Sequence, residues 1–188
     1  MTEENDMLLR ACLSRWIDGF ERRYGYDAAY MRHVLRASPA SLMKFGFGTR
    51  AADVRAAPAE ALVAAGLVGT MSEDCGPCTQ IACDIAVENG VDPAVLRALL
   101  DGDESAMGET AALAWRFARA SLARDMEACD PLRDEIVRRW GDPALVAISL
   151  AITASRMYPT LKYALGYGKA CSRVTVGGEA IAPRRLAA

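Results

Sequence analysis

Two cysteines three residues apart, in Cys75-Gly76-Pro77-Cys78, are the one constellation in this chain whose residue types and spacing suit chemistry. Thiols at that spacing can close a disulfide across one helical turn or supply half of a metal site. A structural metal site takes about four ligands. The chain has no second C-x-x-C, its single histidine, His33, lies far upstream, and Cys12, Cys83, Cys129 and Cys171 are scattered singly. No metal and no other cofactor is expected. Redox chemistry asks for less: an attacking thiolate, a resolving thiol and access. Pro77 lacks an N–H and would clash with the preceding turn inside a helix, so it must fall in a first turn. That sets a helix start near Asp74, with Cys75 at about N1 and Cys78 at about N4. Unpaired N–H groups and the helix dipole then favour a thiolate at Cys75, while Glu73 and Asp74 oppose it. The dipole is worth about 0.3–1 kcal/mol and an exposed carboxylate at about 4 Å roughly 1 kcal/mol, so the two effects are comparable. The plainer alternative is that both cysteines are small apolar members of a stripe continuing through Ile81, Ala82, Ile85 and Ala86.

The elements that would position this pair are helical. Leu9, Cys12, Leu13, Trp16, Ile17 and Phe20 recur at the spacing of one buried helix face. Gly25 stops that helix, Asp27 caps a second over about 28–36, and Ser38-Pro39 opens a short third before Gly46 and Gly48. Pro58 starts a helix through about Gly69. Asp92-Pro93, Asp130-Pro131 and Asp142-Pro143 each place an N-cap acceptor before a proline at the first helical position. Between them a helix is expected over 107–122. The segment 144–154 is apolar almost all round and reads as the central buried helix, ended or kinked by Pro159 before 161–167. Only 173–176 and 179–181, around Gly177-Gly178, look like strand, as a short C-terminal hairpin or arm. The expectation is an all-α, single-domain helical bundle over residues 1–188. A thioredoxin fold is set aside, because such a pair follows a strand there, whereas 60–70 is Ala-rich and helical.

Composition narrows the partners. With 52% hydrophobic residues the chain can bury a sizeable core without staples. A net charge of −2 with only isolated Arg doublets argues against nucleic acid. The most apolar stretches, 61–68 and 144–154, fall short of the roughly 20 residues that span a bilayer, and the acidic N-terminus does not look like a secretory signal. A cytoplasmic location without a membrane partner follows as the expectation, and there cysteines serve redox or metal chemistry more than disulfide frameworks. His33, Trp16, Trp115 and Tyr158 are expected in structural rather than chemical roles.

A C-x-x-C at a helix start, followed by Asn89-Gly90-Val91-Asp92-Pro93, resembles the alkylhydroperoxidase D-like (carboxymuconolactone decarboxylase) superfamily. Glu109-Thr110-Ala111-Ala112-Leu113-Ala114-Trp115-Arg116-Phe117-Ala118 is similar to the family's next helix. Trp140-Gly141-Asp142-Pro143-Ala144-Leu145-Val146 leads into the apolar one, and Leu165-Gly166 resembles the closing helix end. The likeness covers about residues 55–170. It implies a thiol-dependent antioxidant enzyme, a peroxidase or disulfide oxidoreductase, with Cys78 attacking and Cys75 resolving. Its partners would be a peroxide or disulfide substrate, a dithiol reductant protein and further copies in a trimer-based homo-oligomer. Family peroxidases carry a histidine four residues after the second cysteine and an upstream glutamate as a proton relay. This chain has Ala82 and Val63 at those places, leaving Glu73, Gln80 and Glu60 as substitute relay candidates. A non-catalytic redox-sensing or assembly module is the alternative, and a decarboxylase-type enzyme a more distant one.

Overall fold

A computed structural model describes residues 3–51, 53–168 and 174–186. Among them are nine helices, α1 (Glu3–Tyr24), α2 (Ala29–Ala37), α3 (Pro39–Ala51), α4 (Ala59–Ser72), α5 (Gly76–Glu88), α6 (Pro93–Asp101), α7 (Glu109–Ala123), α8 (Met126–Trp140) and α9 (Asp142–Ala164). Two short strands, β1 (Val174–Val176) and β2 (Glu179–Ile181), complete the fold. The molecule is 74% helical, which makes it an all-α bundle with a small C-terminal hairpin. The hairpin is antiparallel, pairing Val174 with Ile181 and Val176 with Glu179. Gly177 and Gly178, both at positive φ, turn it. Arg173 and Cys171 lie outside the described residues.

The central element is α4, not the 144–154 segment. Ala61, Ala64, Ala65, Leu67, Val68 and Met71 are all buried, and α4 packs against α7 and α9 more extensively than any other elements pack. Small side chains let α9 approach closely. A Cβ on Gly69 would stand only 1.9 Å from Ser155 Oγ and 3.0 Å from the Ile152 carbonyl oxygen. Gly69→Ala is therefore expected to destabilise by about 1–3 kcal/mol, and Gly69→Ala with Ser155→Ala to regain part of it. Thermal denaturation of the two variants checks this; equal melting temperatures for wild type and Gly69→Ala would refute the close approach.

Local signals succeed where nothing distant competes. Asp92 Oδ1 accepts from the Ala94 N–H at 2.8 Å at the start of α6, and Gly102 ends α6 in the left-handed region. Elsewhere the chain departs from them. α8 starts five residues before Pro131, because Asp125 caps it through the Ala128 N–H at 3.0 Å, and Pro131 sits inside the helix. α3 runs through Gly46 and Gly48. α9 runs through Pro159 to Ala164. Burial offsets the hydrogen bond lost at Pro159, since that residue and Lys162 are covered and Tyr158 and Leu161 pack on a second core. With 23 residues, α9 is long and apolar enough by length and composition to cross a bilayer, contrary to the sequence expectation. A core helix passes the same test, and α9 lies along α4 and α8.

The second core, around Ile17, Tyr30, Met31 and Leu35, joins α1–α3 to Ile81 of α5 and to the end of α9. Lys162 Nζ lies 4.9 Å from the Tyr26 ring centroid and 5.6 Å from that of Tyr30, a cation–π cage inside this core. The α1 face expected to be buried is only partly so: Ile17 is enclosed, but Cys12 and Trp16 are exposed.

Candidate redox site

α4 ends at Ser72 and α5 starts at Gly76, so Cys75 closes a three-residue turn between two helices and Cys78 lies inside the second. Cys75 is the N-cap of α5, Pro77 lies in its first turn, and Cys78 is at N3, one position earlier than the sequence suggests. The two sulfurs are joined as a disulfide, with Cα atoms 5.3 Å apart. Both residues are largely covered, Cys75 3% and Cys78 8% exposed, and neither borders the two cavities, one of about 400 Å³ between α1, α5 and the hairpin and one of about 750 Å³ between α3, α7 and α9.

The turn is held from several sides. Asp74 adopts a left-handed φ of 49°, a conformation that Asp tolerates better than most residues. Its carbonyl accepts from Tyr163 Oη at 3.0 Å. The Tyr163 hydroxyl is shifted above its ordinary value, by partial burial first and then by Asp74 and Glu73. A Cβ on Gly168 would fall 2.1 Å from the Tyr163 ring, so only glycine leaves that ring its place. Within the core, Thr79 Oγ1 lies 3.1 Å from the Cys75 carbonyl oxygen and 3.2 Å from Thr70 Oγ1. Thr70 Oγ1 in turn donates to the Leu67 carbonyl at 3.0 Å. The Cys75 N–H reaches back to the Thr70 carbonyl at 3.4 Å. Both threonines are buried and pin the backbone on which the pair rides. As buried hydroxyls near a C-x-x-C they are legible only once α4 and α5 are known to be neighbours.

The relay candidates are not brought to the pair in one group. Glu73 adjoins it, but its carboxylate is engaged by Arg156 of α9, at 2.6 Å from Nε and 2.5 Å from Nη2. The negative charge expected to oppose a thiolate is thus matched by a cation. Gln80 uses its amide on the hairpin, donating to the Thr175 carbonyl at 2.9 Å and accepting the Thr175 N–H at 2.7 Å. It also donates to Asp84 at 2.8 Å. Glu60 stands in the first turn of α4, about 18 Å along the helix from Ser72, and is exposed. Ala82 is half-buried one turn beyond Cys78 and packs on the main core. His33 of α2 is half-buried, with Nδ1 3.3 Å from the Oη of Tyr167, which packs on the second core. Among the described residues no group of three or more His, Cys, Asp or Glu could hold a metal.

What the arrangement offers a reduced pair is electrostatic. Of the first N–H groups of α5, those of Gly76 and Cys78 find no acceptor among the described residues, and Pro77 has none to give. An N-cap side chain accepts from N2 or N3, so a Cys75 thiolate would face the Cys78 N–H and the positive end of the helix.

Cys83 stands apart from this chemistry. It is 1% exposed on the floor of a cavity of about 400 Å³ between α1, α5 and the hairpin. Burial, with Asp84 adding to it, pushes its thiol from 9.0 up to about 12, and burial pushes Tyr26 from 10.0 up to about 12. The folded state holds both groups neutral. Their contribution is therefore complete below about pH 9 and is lost as the pH rises towards 12. The melting temperature is expected to fall across that window. After reduction at pH 8, exposed Cys12 should alkylate readily while Cys83, with a thiolate share of about one in 10⁴, stays protected. Peptide mass spectrometry checks this, and early labelling of Cys83 would refute the burial.

The fold and site define an all-α protein carrying a C-x-x-C disulfide at the entry of a core-facing helix. No family model, no curated protein and no solved structure matches the chain.

Proposed function

We propose that this chain is a thiol-dependent redox protein of the alkylhydroperoxidase D-like type, turning over peroxides or disulfides through Cys75 and Cys78. The observation that carries the reading is the bonded pair at the N-cap and N3 of α5, at the positive end of the helix dipole. In the peroxide reaction a Cys78 thiolate attacks the terminal oxygen of ROOH, the O–O bond breaks, and RO⁻ leaves to take a proton. The resulting sulfenic acid condenses with the Cys75 thiol, forming the disulfide and releasing water. A partner dithiol then reduces the disulfide and is itself oxidised. A homo-oligomer built on trimers and a cytoplasmic setting belong to the same proposal, as does the absence of any metal or flavin requirement.

The test is consumption of an organic peroxide, or of a small disulfide, with a dithiol reductant. Turnover in the wild type that vanishes in the Cys75→Ser, Cys78→Ser double variant supports the proposal; activity retained there sinks the cysteine mechanism. A second reading, a redox-responsive packing module, is favoured by the near-complete coverage of both sulfurs. It predicts no turnover, but a reduction-dependent change in assembly or melting temperature.

A further inference from the structure

Five of the ten large apolar side chains left exposed among the described residues lie on two helices, α1 and α3: Met7, Leu8, Trp16, Met43 and Phe47. Phe47 is 75% exposed and Met7 65%. At about 100° per residue, Met43, Lys44, Phe47 and Arg50 fall within a 120° arc of α3. That arc is opposite the Phe45 and Thr49 positions that meet Tyr158 of α9. On α1, Leu8, Arg15, Trp16 and Arg22 share the side opposite Ile17. Both outer faces interleave large apolar groups with cations.

The charge is one-sided. Residues 1–50 hold eight Lys and Arg against six Asp and Glu, a net of +2, whereas the whole chain is −2. Asp6 pairs with Arg10 and both Asp18 and Glu21 with Arg32, while Arg23 pairs with Glu88. Arg15, Arg22, Arg36, Lys44 and Arg50 are exposed and enter no ion pair among the described residues. A two-fold contact between copies would set these cations against each other. Nor do the five apolar side chains line either cavity described; they protrude rather than form a pocket. Protruding Trp, Phe, Met and Leu among Arg and Lys suit a lipid interface, where the apolar groups enter the acyl boundary and the cations meet phosphate headgroups.

We propose that the outer faces of α1 and α3, two helices in contact, dock on an anionic bilayer surface. This departs from the expectation of no membrane partner, which concerned spanning segments, and it stands independently of the redox reading. The probe is vesicles of phosphatidylcholine with about 30% phosphatidylserine against phosphatidylcholine alone, at low and at high salt. The wild type is expected to co-sediment with the anionic vesicles at low salt, with Trp16 emission shifting to the blue, and to be released by salt. Lys44→Glu with Arg50→Glu, and separately Trp16→Ala with Phe47→Ala, should each weaken partitioning about tenfold or more. All four positions are exposed, and circular dichroism verifies that the variants fold; the salt dependence of the wild type decides the matter if either does not. No co-sedimentation, or equal binding to neutral vesicles, overturns the proposal. So does an oligomer in vesicle-free solution that shields Trp16 from quenchers and dissociates on Trp16→Ala, which would make the face an interface between copies.

Discussion

Cys78→Ser is expected to abolish thiol-dependent turnover, a loss of order 10³-fold or more, while Cys75→Ser is expected to permit one turnover and then stop. Within the proposed reaction the two residues differ in task, and the structure gives each a distinct setting. Cys75 is the N-cap, its N–H bonded to Thr70 and its carbonyl met by Thr79. Cys78 sits one turn into α5 and is the more exposed of the two. A resolving residue can remain tethered to the backbone, whereas an attacking one must meet substrate. Stopped-flow peroxide consumption with limiting enzyme separates the outcomes. Cys75→Ser should give a burst of about one equivalent per chain, trapped as the Cys78 sulfenic acid by a dimedone-type reagent. A burst from Cys78→Ser with none from Cys75→Ser would reverse the assignment.

The second large effect is a gain. Attack on a peroxide needs a proton for the departing oxygen, and general acid–base assistance is worth about 10²–10⁴-fold. Glu73 is occupied by Arg156 and Gln80 by Thr175, so the wild type is expected to be slow near neutral pH and to accelerate as the thiol ionises. Ala82 is half-buried and stands four residues after Cys78, where side chains on a helix are neighbours. Ala82→His should raise the neutral-pH rate by about 10²-fold, the low end of that range, because no carboxylate positions the imidazole. It should also flatten the pH profile. A variant that folds, carries reducible Cys75–Cys78, and shows the wild-type rate and profile would remove protonation of the leaving group as the limiting step.

Where the chain obeys its own neighbours, the sequence is a sufficient guide. Asp92, Pro93 and Gly102 bracket α6; Gly177-Gly178 closes the hairpin; Pro77 puts the cysteine pair at a helix entry to within one residue. The misreadings share one cause. Asp130-Pro131 is a local start signal overridden by an earlier cap at Asp125, and Pro159, Gly46 and Gly48 are local stop signals overridden by contacts made far along the chain. Centrality follows coverage rather than apolarity: α9, though apolar, leaves much of its surface uncovered, while alanine-rich α4 is enclosed on nearly every side. At the site, the contacts that matter most join residues 83, 89 and 95 positions apart: Glu73 with Arg156, Asp74 with Tyr163, and Gln80 with Thr175. No spacing rule along a chain can announce them.

Arg156 and Tyr163 grip consecutive residues of the turn, Glu73 and Asp74, from two levels of the same helix, while Thr70 and Thr79 hold it from the core. Opening the disulfide therefore releases two side chains but little backbone. The separated thiols remain tethered on a fixed support, each presented to the other at an effective concentration far above that of any thiol in solution. Ring closure then competes well with capture by a second substrate or by an external thiol, and mixed disulfides with a partner should be short-lived. Cutting the grip at Arg156 or Tyr163 would lower that concentration and lengthen the life of the mixed species without altering either sulfur.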